Sequence, residues 1–243
     1  MAAHRIFLPF QALEPGVTLS VSGDEAQHAT RVKRLAQGDA IEVLNGAGQI
    51  ASGIIERVGT RKEHRLDLRI EGVESHPQPS PRIEVWSAAP KGTRLEEMIE
   101  GLSQTGCVLW RALICERTVV EPREGKLARL ERIAVESAKQ CGRAWTMRIG
   151  EPVAFRNALV APDAERVLVA DASGVHVREV ARSACRSVRL LVGPEGGLSP
   201  AEIGAAQAAG IEVVRLGPHI MRIETAAVVG CATLVQLGAI ESV

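Results

Sequence analysis

The segment that most constrains this chain is Leu190-Leu191-Val192-Gly193-Pro194-Glu195-Gly196-Gly197-Leu198-Ser199-Pro200-Ala201-Glu202-Ile203. Arg189 to Val192 is a short apolar run of the length of a buried strand. It breaks at Gly-Pro-Glu-Gly-Gly, where glycines let the backbone take positive φ and come close to a ligand. Ser199 then reads as an N-cap, Pro200 as the first helical residue and Glu202 as the partner of Ser199 in a capping box. Gly210 is a natural left-handed stop for that helix. Strand, glycine loop and capped helix follow one another. In open α/β sheets ligands bind in such loops, at the carboxyl ends of strands. The alternative is a tight turn that binds nothing.

A second loop favours the ligand. Ile211 to Leu216 reads as the next strand. It leads into Gly217-Pro218-His219-Ile220-Met221-Arg222-Ile223-Glu224-Thr225-Ala226-Ala227 and then a small-residue helix over Thr225–Leu237. That helix is apolar on nearly all sides, the pattern of a buried helix. Two consecutive strands thus end in two unusual loops, which places the loops side by side at one sheet edge. Neither is a phosphate cradle. No G-x-x-x-x-G-K-[ST] occurs, and Gly46-Ala47-Gly48 lacks the third glycine of a dinucleotide fingerprint.

Composition narrows the function classes. The formal net charge is zero, so an RNA partner would have to rest on a local basic patch. No run of 18 apolar residues exists, which argues against a membrane span. The start, Met1-Ala2-Ala3-His4-Arg5, lacks the apolar core of a signal peptide. The cysteines, 5 in number, are scattered without a CxxC or Cys/His cluster. That pattern argues against zinc or any other metal and for reduced thiols in a cytoplasmic protein.

The chain divides at His76-Pro77-Gln78-Pro79-Ser80-Pro81, a stiff connector over 76–81. Residues 1–75 read as short strands with one helix. The strands are expected over 5–10, 17–21, 39–44, 49–56 and 65–71. Asn45-Gly46 marks a hairpin, and Ser22-Gly23-Asp24-Glu25 a capping box that opens a helix to about Leu35. His28, Arg31, Lys33 and Arg34 cluster at the end of this helix. They are candidates for RNA phosphate contacts, or a solvated basic helix end. A second cluster, Arg57, Arg61, Lys62 and Arg65, reads as a solvated turn. Tyr is absent, and Phe7 and Phe10 are open to a place in the core, so aromatic stacking on bases is not expected. Residues 82–243 alternate strands and helices, the pattern of a parallel α/β sheet. Strands are expected over 83–88, 108–115 and 166–170, a helix that Lys91–Glu96 leads into and that ends near Gly106, another over 125–141, and a turn at Asp171-Ala172-Ser173-Gly174.

The pair GPEGG…LGPHIMRIETA resembles the signature of the knotted SPOUT-class methyltransferases. More narrowly, it resembles the 16S rRNA (uracil-1498-N3)-methyltransferase family. His28 to Asp39 matches that family's H-x-x-x-V-x-R-x-x-x-G-D pattern, and Glu136, Gln140 and Arg143 match E-x-x-x-Q-x-x-R. Lys91, Arg94 and Glu96 fall at the spacing K-x-x-R-x-E. The chain departs at Gly101–Cys107, where the family has K-x-x-E-L-G-V. It departs again at His219, Met221 and Ile223, where the family has Arg, Leu and Thr.

The resemblance implies an α/β protein with an N-terminal PUA-like β-barrel for RNA and a C-terminal knotted SPOUT domain with a mainly parallel sheet. It implies S-adenosylmethionine as methyl donor, held by Gly193, Pro194, Glu195, Gly196, Leu216, Gly217, Ile220, Met221 and Thr225. It implies uridine N3 in 16S rRNA as the acceptor, presented in a small ribosomal subunit. Arg222 and Glu224 are the candidates for catalysis. Arg222 would stabilise a uracil oxyanion, and Glu224 or Glu195 would take the N3 proton. Lys91, Arg94 and Arg143 join the barrel's cations as candidate RNA contacts. A homodimer through the last helix is also implied. Two rivals stay open: a knotted enzyme that methylates a ribose 2′-hydroxyl, and a non-catalytic RNA-binding ribosome-assembly factor.

Overall fold

The computed structural model describes residues 4–60, 63–160, 164, 166–180 and 185–240, with side chains to residue 238. Arg61 and Lys62 of the second basic cluster lie outside the described residues, as do the first three residues. The chain forms two compact units. One holds the chain up to Gln78 together with Ala138–Thr146, and the other holds Pro79–Ser137 and Met147 onward.

The first unit contains β1 (His4–Phe7), β2 (Thr18–Ser22), α1 (Asp24–Gln27), β3 (Ala40–Leu44), β4 (Gln49–Val58) and β5 (Arg65–Ser75). Its sheet runs in the order β1-β3-β4-β5-β2, parallel between β1 and β3 and antiparallel elsewhere. It is a half-barrel rather than a closed barrel, because β1 and β2 stand at its two edges. Leu66, Leu68 and Ile70 of β5 point to the core, while Arg65 and Arg69 stay exposed, the period of two of a half-buried strand. β4 bends at irregularities beside Gly53 and Arg57. A side chain at Gly53 would press on the Arg69 carbonyl at 2.7 Å. The Asn45 hairpin forms as expected, with Asn45 Oδ1 accepting from the amides of Ala47 and Gln49 at 2.9 and 3.0 Å.

The helix expected from Ser22 to Leu35 is shorter. α1 gives way to a π-turn over His28–Val32, and no side-chain capping bond forms at Gly23. Glu25 has other partners: it accepts from the Phe7 amide at 3.2 Å and from Lys139 Nζ at 2.8 Å. Contacts distant in sequence have displaced the local cap.

The second unit contains β6 (Arg82–Ser87), α2 (Arg94–Thr105), β7 (Leu109–Ile114), α3 (Glu124–Cys141, its last residues counted with the first unit), β8 (Arg148–Ala154), α4 (Phe155–Ala158), β9 (Arg166–His176), α5 (Val177–Val180), β10 (Ser187–Val192), α6 (Pro200–Ala208), β11 (Glu212–Arg215) and α7 (Ile223–Ile240). The sheet is wholly parallel, in the order β11-β9-β10-β6-β7-β8. Parallel sheets are covered on both faces, and every residue of the central strand β10 is buried. One face packs on α2, α3 and α7 through Leu95, Ile99, Leu102, Leu130, Ala134 and Leu234. The other carries Trp86, Leu113, Phe155, Leu191, Leu198 and Ala206. Arg189, read with an apolar run, is a buried cation. Its guanidinium lies 3.7 Å from the Trp86 ring centre and 3.3 Å from Glu84, so the charge is paired and stacked.

Chain order at one edge matters for the site. From β10 the chain passes through α6 and over β9 to reach β11. It then doubles back, and α7 packs on β10, β6 and α2. The ends of β9, β10 and β11 are therefore neighbours. No helix among the described residues is long and apolar enough to cross a membrane. All five cysteines are free thiols, with Cys107, Cys115 and Cys231 buried.

Candidate functional site

The carboxyl end of β10 delivers the glycine loop. The Gly197 amide donates to the Pro194 carbonyl at 2.8 Å, and Gly197 holds φ +70°, a backbone that favours glycine. The capping box closes as the sequence predicts. Glu202 N donates to Ser199 Oγ at 3.3 Å, and Ser199 N donates to Glu202 Oε2 at 2.8 Å. β11 delivers the second loop.

A third wall comes from β9. Leu168 and Val169 pair with Glu212 and Val213, but Val175 and His176 pair with Val214 and Arg215. Ala170–Gly174 therefore bulges out of the ladder, within one strand rather than as the turn expected there. Asp171 Oδ1 shapes the bulge by accepting from Ser173 N at 2.9 Å and Ser173 Oγ at 2.7 Å.

The three segments enclose a cavity of about 440 Å³, within the range of small-molecule sites. Gly193, Pro194, Glu195 and Gly196 line it from the first loop, and Leu216, Gly217, Ile220 and Met221 from the second. Thr225 is exposed and does not line it. The sequence reading missed Asp171, Ala172 and Arg215, which also line it. The one available signal was the Asp-Ala-Ser-Gly segment, which implied a turn but not that it would face this cavity. The loops fit against their neighbours down to the backbone. A side chain at Gly193 would meet Leu198 at 2.9 Å, and one at Gly217 would meet Met221 at 2.7 Å.

Glu224 sits in the first turn of α7. Its Oε1 lies 3.6 Å from Arg94 Nη1, and its Oε2 is buried with no hydrogen-bond partner. Arg94, the first residue of α2, also brings Nη2 to 3.9 Å from Glu195 Oε1. One cation thus stands between carboxylates from both loops. Arg222 is exposed, and its carbonyl accepts from the Ala226 amide at 2.8 Å at the start of α7. Lys91 is exposed three residues before Arg94. Glu96 faces away from this chemistry. It takes Lys126 Nζ at 2.5 Å and Arg129 Nη2 at 2.8 Å, and Lys126 above all holds its carboxyl below the usual range. It ties α2 to α3.

In the first unit His28, Arg31, Lys33 and Arg34 are all exposed. The His28 ring stacks on His4, with centroids 5.8 Å apart. Arg143 is half-buried and counted with this unit. Phe10 is not core: it is 84% exposed.

The profile described as RNA methyltransferase domain matches residues 76–235, and that described as RNA methyltransferase PUA domain matches residues 21–64. The ribosomal RNA small subunit methyltransferase E of Synechocystis is 30% identical over 243 aligned positions, covering 96% of this chain and 77% of the relative. The protein of the same name from Mycobacterium bovis is 31% identical, covering 89% and 85%. The chain belongs to the ribosomal RNA small subunit methyltransferase E family. A member of the ribosomal RNA small subunit methyltransferase E family from Neisseria gonorrhoeae, solved with S-adenosylmethionine, shares the fold with a TM-score of 0.87 at 23% identity, over 97% of this chain and 98% of that one. A Legionella pneumophila methyltransferase solved with the same cofactor has a TM-score of 0.84 at 28% identity, over 96% and 97%.

Proposed function

We propose that this chain transfers the methyl group of S-adenosylmethionine to N3 of a uridine in 16S rRNA, as a homodimer acting on the small ribosomal subunit. The observation that carries this reading is the cavity of about 440 Å³ at the ends of β9, β10 and β11, with the Arg94–Glu224 pair beside it.

The cavity fits the donor. Leu198, Leu216, Met221 and Ile223 give it apolar surface, and two loops of close-packed backbone give polar edges. Asp171 and Glu195 add negative charge to the wall, which suits a ligand bearing a sulfonium and an ammonium. Bound there, S-adenosylmethionine supplies an electrophilic methyl group on sulfur. The protein's part is to hold the acceptor nitrogen in line, which lowers the barrier by fixing geometry in advance.

Uracil N3 carries a proton and is a poor nucleophile until it is lost. Glu224 takes that proton on one carboxylate oxygen as the new N–C bond forms and the methyl–sulfur bond breaks. Arg94 holds the other oxygen in place. Arg222 stabilises negative charge on a uracil oxygen during the transfer. Arg94, expected to contact RNA, is engaged by Glu195 and Glu224 and is better read as a holder of carboxylates. Arg31, Lys33 and Arg34, all exposed, are the first unit's candidates for phosphate, contacts that position RNA without reading its sequence. With no net charge to attract RNA at large, recognition depends on a shaped target such as a ribosomal particle. The uracil must have its N3 edge free, either unpaired or flipped out at a cost of about a few kcal/mol.

The test is methyl transfer to purified small subunits and to naked 16S rRNA, with nucleosides identified by mass spectrometry. N3-methyluridine, formed preferentially on the subunit, is the expected product. A 2′-O-methylated nucleoside would move the acceptor to the ribose. Donor binding without transfer to any rRNA substrate would leave an assembly factor.

A further inference from the structure

We infer that Arg117 is a positioning residue for the methyl donor, holding the glycine loop in its binding shape from outside the cavity. The inference rests on the donor-site reading above. β7 ends at Ile114, and the next four residues form a tight turn. Thr118 N donates to the Cys115 carbonyl at 3.1 Å, and Cys115 N donates to Thr118 Oγ1 at 2.8 Å. The turn aims two consecutive residues at the donor segment. Glu116 N donates to Glu202 Oε1 at 2.8 Å. Arg117 Nη1 donates to the Gly196 carbonyl at 2.7 Å.

The two bonds fall at different places. Glu202 is the carboxylate of the capping box, so the first bond secures the start of α6. Gly196 lines the cavity, so the second secures the middle of the loop. Arg117 lies along Gly196 as well, its Cδ 3.4 Å from where a Cβ would stand. The loop needs this support. Adjacent glycines lose more backbone freedom on ordering than any other pair of residues. Gly196 is exposed, and its carbonyl would otherwise be left to water. A guanidinium–carbonyl bond is charge-assisted and short. It spends the ordering entropy before the donor arrives, and preorganised loops bind more tightly for that reason. Arg117 touches neither reacting atom, so its effect belongs in donor affinity rather than in the transfer step.

The experiment compares the full-length protein with Arg117→Ala and Arg117→Lys. Donor affinity is measured by calorimetry with S-adenosylmethionine alone, and steady-state methylation is measured on small subunits. Arg117→Ala should weaken donor binding about fivefold to tenfold. Its kcat at saturating donor and RNA should stay within about twofold, and its Tm should not move. Arg117→Lys, whose ammonium still offers a donor to the carbonyl, should recover most of the affinity. Unchanged donor affinity in Arg117→Ala overturns the inference and leaves the donor-site reading intact. Normal donor affinity with a raised KM for the subunit overturns it too, and makes Arg117 an RNA contact. If the unaltered protein binds no S-adenosylmethionine, the donor-site reading fails first and takes this inference with it.

Discussion

Nη1 of Arg94 lies 3.6 Å from Oε1 of Glu224. The two residues begin different helices, α2 and α7, which pack together in the second unit. A cation from one helix start therefore fixes a carboxylate at another, beside the cavity both loops enclose. The second oxygen of Glu224 is buried and has no partner. Leaving a polar atom so placed is costly.

Glu224→Gln keeps the shape of the side chain and removes the proton acceptor. The transfer rate should fall about 100-fold to 10,000-fold, the usual worth of a positioned general base. Donor affinity should hold. Single-turnover methylation beside calorimetry measures both, and an undiminished rate would assign the proton elsewhere.

Arg222→Ala should slow transfer about 100-fold to 1,000-fold, as loss of an oxyanion donor does. Donor binding should be unaffected, since the exposed Arg222 does not line the cavity. A variant that methylates normally would remove Arg222 from the chemistry.

Gly196→Val tests the support of the glycine loop. The added branches would crowd Arg117, whose Cδ and Cβ lie 3.4 and 3.7 Å from the new Cβ. Nothing else lies within 4 Å, so the fold should survive. Affinity for S-adenosylmethionine should drop at least about tenfold with Tm nearly constant. Normal binding would show that the loop keeps its binding shape when Arg117 is crowded, and would count against the support assigned to that residue.

Much of this site is legible in the sequence because its cues are local. The Ser199–Glu202 capping box is written within four residues, and α6 starts where it predicts. β10 reads as apolar because a central parallel strand is buried on both faces. The failures are tertiary. Ser22–Glu25 carries the same local pattern, yet Glu25 is taken by Phe7 and Lys139. Asp171 reaches the cavity only because β11 pairs with β9 on both sides of a bulge. Arg117 stands 79 positions from Gly196, and no periodicity links them. Phe10 gives no local sign that it is exposed, since hydrophobic character alone does not say which residues a small sheet leaves out.

The first unit should show an acid limb set partly by Asp67. The Ser20 hydroxyl, then Arg65 and Arg57, hold its carboxyl below the usual range. A carboxyl lowered by folding stabilises the fold fully above its unfolded value near 4, and that contribution disappears as pH falls through the folded value. Asp67→Asn should therefore lower Tm at about pH 5 to 7, and the gap to the unaltered protein should close toward about pH 2. A gap that stays constant with pH would show that the ion contacts are not its source.

The protein should sediment as a dimer at micromolar concentration. Along α7, Val229, Ala232 and Thr233 are only half-buried and Gln236 is exposed, although the helix is apolar through most of its length. A two-fold interface would cover the same patch on both copies. Ala232→Arg should then give monomers with the fold intact. A monomer in the unaltered protein would refute the assembly.

The path of the chain also bears on dissection. Residues 138–146 count with the first unit, although the sequence on either side of them builds the second. Within that segment Lys139 pairs with Glu25, Trp145 bridges Ala47 and donates to the His76 carbonyl, and Arg5 donates to the carbonyls of Lys139 and Gln140. A fragment cut at the proline-rich connector would lose all of these at once, and the remaining piece would carry an orphaned stretch with nothing to fold upon. The two units are interleaved in sequence, so neither can be borrowed, swapped or expressed as a cassette with a single cut.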